Sequence, residues 1–151
     1  MALSIREVLF GSDYSRFEHN LGILGAVTLF GATFAAYALD LFAVSGGVIV
    51  LPGDATTVGI VAAALIGYRS GGMLFAWLSF FAAYLGFRAD WAFLGLSGRD
   101  IADKLAFFFD PVGLAILAVA AVLIGTLAFG AGVLVRRSLE LVRREAIGGN
   151  S

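Results

Sequence analysis

Residues 67–72 read GYRSGG, and Arg69 within them is the one charged residue between Ala55 and Phe87. A single helix over 55–87 would rise roughly 50 Å, more than a hydrocarbon core of about 30 Å accommodates even with tilt. Two helices meeting at Arg69-Ser70-Gly71-Gly72 remove the excess. The glycines then supply backbone freedom for a tight reversal, and the arginine rests among headgroups. Arg69 belongs to a turn. A span over 71–87 follows it, and the span before it ends at Tyr68. Where that earlier span begins is open. It starts near Gly47 and crosses a bend at Pro52-Gly53, giving 47–68, or it is a half-helix that an irregular segment leads into near Ala55.

Composition makes the bilayer the natural solvent for these runs. The chain has 151 residues, 60% hydrophobic and 14% charged, against about 45–50% and about 25% in soluble domains. A soluble domain of this length has too much surface for its volume to hide so many apolar side chains. The runs do not alternate, which excludes a transmembrane barrel pattern and leaves helices whose backbone polar groups pair internally. A net charge of −1 gives no basic surface for nucleic acid, and the absence of cysteine removes disulfides and thiolate chemistry.

Outward from the 67–72 turn, the amino-terminal segment 1–20 contains Ser4-Ile5-Arg6-Glu7, a capping box, and then Ile5, Val8 and Leu9 on one face of a short interfacial helix ended by Gly11. A second box, Ser15 to Glu18, opens the first span, 21–43, whose apolar part LGILGAVTLFGATFAAYAL rises roughly 28 Å before Asp40. Ala36-Tyr37-Ala38 has the small-x-small form of a signal cleavage site, but the twenty preceding residues carry three acids and two arginines, and the apolar run exceeds a signal core. Residues 88–110 form a charged outer loop holding an amphipathic helix, with Ser97 as cap and Ile101, Leu105, Phe108 and Phe109 on its apolar face. Asp110-Pro111 opens the last span, 111–135, aspartate as cap and proline at the first helical position. The tail 136–151 continues as helix, supported by Arg136–Glu140 and Glu140–Arg144 pairs, until Gly148.

The expected fold is therefore an all-α integral membrane protein, a four-transmembrane-helix bundle in one domain with short interfacial amphipathic helices. Lysine and arginine set its orientation. Arg6, Arg16, Arg69, Arg136, Arg137, Arg143 and Arg144 fall on one side, and only Arg88, Arg99 and Lys104 on the other. Both termini are expected in the cytoplasm of a cell-membrane protein.

That topology collects Asp40, Asp54, Arg88, Asp90 and Asp110 at one outer level. Asp54 lies fifteen residues from Arg69, roughly 22 Å along a helix, which places it below the outer boundary of the core. A carboxylate at that depth is a candidate functional site. With Thr57 beside it and a broken helix at Pro52-Gly53, it could face a cation or polar solute. Asp40, Asp54, Thr57, Arg88 and Asp110 are thus the candidate ligand residues, and the competing reading makes them caps and turn residues. Gly95-Leu96-Ser97-Gly98 resembles the GxSG form around the nucleophile of rhomboid-type intramembrane proteases, over four residues. Such a serine needs a base within hydrogen-bonding reach, and the sole histidine, His19, is expected at the opposite face. One histidine does not make a metal site. No cofactor is implied. Small-xxx-small pairs, Gly31/Ala35, Gly72/Ala76, Ser79/Ala83, Ala121/Gly125 and Ala128/Gly132, let helices approach closely. Gly31, Ala35, Gly125 and Gly132 are the candidate packing residues. The expected role is a non-enzymatic membrane subunit whose partners are lipid and either a second copy or other membrane subunits. The alternative is a solute or ion transport component acting at Asp54.

Overall fold

In the computed structural model, which describes residues 4–11, 16–43 and 52–148, the regular elements are helical throughout. The first, α1 (Ile5–Phe10), is opened by the expected capping box. The Glu7 N–H donates to Ser4 Oγ at 3.2 Å and the Ser4 N–H donates to Glu7 Oε2 at 3.3 Å. Gly11 ends it at φ 88°, a left-handed position. The second capping box, at Ser15–Glu18, lies outside the described residues and side chains.

Helix α2 (Arg16–Ala38) ends earlier than the expected 21–43, because Asp40 takes φ 54° and turns the chain. Aspartate tolerates that region better than most residues. Helix α3 (Gly53–Tyr68) begins at Pro52, which is extended at φ −69°, ψ 131°. The expected span over 47–68 is corrected there: no helix runs back through Pro52, and 47–51 lie outside the described residues. Helix α4 (Met73–Asp90) runs past the expected end at Phe87 and continues into a π-helical turn, Trp91–Gly95, closed by the Leu96 N–H on the Trp91 carbonyl at 3.0 Å. Arg88 is therefore helical and buried, not a loop residue. Asp100, not Ser97, caps α5 (Ile101–Phe108), accepting from the Ile101 N–H at 2.9 Å. Asp110 caps α6 (Pro111–Gly148) as expected, accepting the Gly113 N–H at 2.6 Å. Of the two anticipated tail pairs, Arg136–Glu140 forms at 3.6 Å.

The turn at 67–72 is present, but its glycines serve a different purpose. Ser70, not a glycine, takes the positive φ of 63°. Gly71 pairs with Gly11 in an antiparallel bridge. A Cβ at Gly72 would lie 2.7 Å from the Phe10 carbonyl carbon. The glycines admit α1 against the turn.

Helix α4 is the centre, packed on α2, α3, α6 and α1. Its neighbours fix the directions. Gly22 meets Phe75, and Gly86 meets Phe30 and Thr33, so α2 and α4 run parallel. Gly59 meets Phe80 and Thr56 meets Tyr84, so α3 runs against α4. Trp77 Nε1 donates to Thr126 Oγ1 at 3.0 Å and Arg88 abuts Gly113, so α6 also opposes α4. Phe80 and Tyr84 fill the middle. Helix α3 crosses α6 at Gly67 and Gly132, where an added Cβ would strike the Phe129 and Ala64 carbonyl oxygens.

The packing expectation divides here. Gly125 and Gly132 are buried contacts, whereas Gly31 and Ala35 face outward and a Cβ at Gly31 would meet nothing within 4 Å. Two stretches, His19–Ala38 and Ile101–Gly148, contain helix long and apolar enough to cross a membrane, and α3, at 16 residues, is a shorter apolar helix.

Candidate functional site

The alternating helix directions bring the C-termini of α2 and α4 to the same end as the N-termini of α3 and α6. Asp40, Asp54, Thr57, Arg88 and Asp110 all sit at this end, as expected. All but Asp40 have a local bonding partner. Asp54, half-buried in the first turn of α3, accepts the Ala43 N–H at 3.1 Å and ties the chain leaving α2 to the start of α3. Thr57 is exposed and its Oγ1 donates to the Gly53 carbonyl at 3.0 Å, within its own helix. Asp40 is exposed at the turn that ends α2.

Tyr37 and Tyr84 complete this end, and neither is a charged residue that would stand out in an apolar run. The Ala55 N–H, an unsatisfied donor of the first turn of α3, donates to the Tyr37 hydroxyl at 3.2 Å. Asp54 and Asp90 both lie within electrostatic reach of that hydroxyl. Thr56 Oγ1 donates to the Pro52 carbonyl at 2.8 Å and lies 3.0 Å from the fully buried Tyr84 hydroxyl. The α3 start is thus capped by aromatic hydroxyls from α2 and α4 in place of its own N-cap, since proline offers no side-chain acceptor.

Arg88 is the strongest electrostatic feature. It is 9% exposed. Its Nε donates to the Phe108 carbonyl at 3.0 Å, its Nη2 to the Phe107 carbonyl, and its guanidinium lies 4.8 Å from the Phe107 ring centroid. The Asp110 carboxylate is 3.8 Å away. These contacts make Arg88 a clamp on the last carbonyls of α5 and the α5–α6 corner. Among the described residues no three histidine or acidic groups converge as a metal ion would require.

The opposite end carries a concavity. It has a volume of about 490 Å³ and is lined by Tyr68 at the end of α3 and by Arg136, Leu139, Glu140 and Arg143 on α6. The sequence named the arginines only as topology markers, since nothing local shows that α3 stops beside them. His19 packs on Phe75 at 5.9 Å near this end of α4. Ser97 follows the π-helical turn at the other end, roughly 25 Å along the helix, so the GxSG serine and the histidine do not meet.

Comparisons of the chain with protein-family models, with curated proteins and with solved structures give no match.

Proposed function

We propose that the chain is a small multi-pass membrane subunit without chemistry of its own, crossing the bilayer with α2, α3, α4 and α6 and keeping both termini in the cytoplasm. The apolar face that the folded bundle leaves uncovered carries this reading. Leu24 and Val27 on α2, Val61 on α3 and Leu123 and Leu127 on α6 are 53–75% exposed, a band that lipid covers and water does not. The 16-residue α3 rises about 24 Å, a mismatch met by local thinning of the bilayer and by Arg69 reaching to the headgroups. The subunit role rests on α2. Its only buried side chains among those described are Thr33 and Tyr37, and its Gly31/Ala35 face points away from the bundle. Small residues on an outward face allow a second copy or another membrane protein to approach closely.

A transport component acting at Asp54 is the other reading, and the short α3 with its extended approach at Pro52 favours it. Beneath Asp54, however, Thr56, Tyr84 and Phe80 fill the interior, and the Thr56 and Tyr84 hydroxyls are bonded to each other. That supports a sealed bundle.

The test is extraction in gentle detergent followed by native mass measurement. The expected result is a homo-oligomer or a complex with another membrane protein, lost on Gly31→Leu. A monomer with no co-purifying partner rejects the subunit reading. Solute flux in vesicles that falls on Asp54→Asn would instead establish transport.

A further inference from the structure

We propose that the hollow between Tyr68 and the carboxyl-terminal part of α6 holds the phosphate headgroup of an anionic phospholipid from the cytoplasmic leaflet. The proposal rests on the membrane reading, and adds to it a specific site. Arg136 is the first charged residue after the apolar run 111–135, so a crossing α6 brings it out at headgroup depth. Arg143, seven residues on, shares its face, and Tyr68 closes the hollow from α3. Volume favours a headgroup over a bare ion: about 490 Å³ is the size of a small-molecule site.

The chemistry of the walls matches. Arg136 Nε is buried and has no hydrogen-bond partner among the described residues; Glu140 Oε1, its ion-pair partner, is 3.6 Å away. A guanidinium fork turned toward phosphate oxygens would satisfy that donor. Arg143 has no ion-pair partner among the described residues, and the Tyr68 hydroxyl can donate to a further phosphate oxygen. Leu139, 53% exposed, gives the apolar floor that a glycerol backbone and the first methylenes require. Glu140 opposes the anion and lowers affinity, which gives the site a substitution with the opposite sign. Basic hollows between crossing helices on the cytoplasmic side bind lipid headgroups in this way.

The experiment titrates the purified, delipidated full chain in neutral detergent with phosphatidylglycerol or phosphatidylcholine and reads bound lipid by native mass spectrometry. One equivalent of phosphatidylglycerol should bind at least about tenfold tighter than phosphatidylcholine. Arg136→Gln with Arg143→Gln should remove the preference, and Arg99→Gln with Lys104→Gln, at the other end, should keep it. Because the double arginine variant could unfold, Glu140→Gln provides an independent arm and should raise phosphatidylglycerol affinity. Equal binding of the two lipids by the wild type, an unchanged preference in the arginine variant, or no gain from Glu140→Gln overturns the site. Displacement of the lipid by millimolar inorganic phosphate would mark a free-phosphate site and overturn the lipid assignment; no displacement supports it. Alkaline extraction of native membranes separates the two levels. A chain washed off the membrane fails the membrane reading, and one that stays but shows no lipid preference fails only the headgroup site.

Discussion

Arg88 is buried because α4 does not stop where its apolar run stops. The extra turn carries the guanidinium to the end of α5, where it serves two of the last carbonyls, which a helix terminus otherwise leaves without donors. Arg88→Gln keeps some hydrogen-bonding capacity but cannot span both carbonyls and loses the Asp110 pairing. Thermal unfolding in detergent should show a loss of about 1–3 kcal/mol, with hydrogen exchange accelerated first in Ile101–Phe108. Unchanged exchange there would refute the clamp.

At the scale of elements, glycines that look alike have different fates. Gly132 sits where α6 crosses α3, and a side chain there would meet the Ala64 carbonyl oxygen, which is backbone and cannot move aside cheaply. Gly132→Val should therefore destabilise the bundle by about 1–3 kcal/mol or more, measured as reduced detergent or thermal resistance. Gly31→Leu should leave the stability of the isolated chain within about 0.5 kcal/mol, because it meets open space. A similar loss at both positions would contradict the assigned crossing. Caps were legible where one residue does the work: Ser4 with Glu7, and Asp110 before Pro111, need only neighbours in sequence. The start of α3 was not, because its first-turn donor is met by Tyr37, 18 residues away. The end of α4 was misjudged for a related reason. A charged residue ends an apolar run on paper, but a helix continues through it when its charge finds carbonyl partners.

For the whole molecule, the absence of cysteine makes topology directly testable, since any thiol added is the only one present. In intact cells an impermeant thiol reagent should label Ser97→Cys and leave Ser70→Cys and Ser138→Cys unlabelled until the membrane is opened. Labelling of Ser70→Cys from outside would invert the orientation. That the candidate site residues share one end of the helices was legible, because helix order and the turn at Arg69 dictate which residues share an end. Their roles were not, because each role is set by a neighbour from another helix. Local chemistry, acting over a few residues, was enough for the existence and order of the long helices, for the reversal at 67–72, and for the caps at Ser4 and Asp110. Only the assembled helices could place α4 at the centre, turn Gly31 outward while burying Gly132, and bring Arg88 onto the carbonyls of Phe107 and Phe108. Trp77 meeting Thr126, 49 residues away, shows why: spacing along one helix says which side chains share a face, but the partner of that face is chosen by packing, where volume and polar satisfaction across separate helices compete.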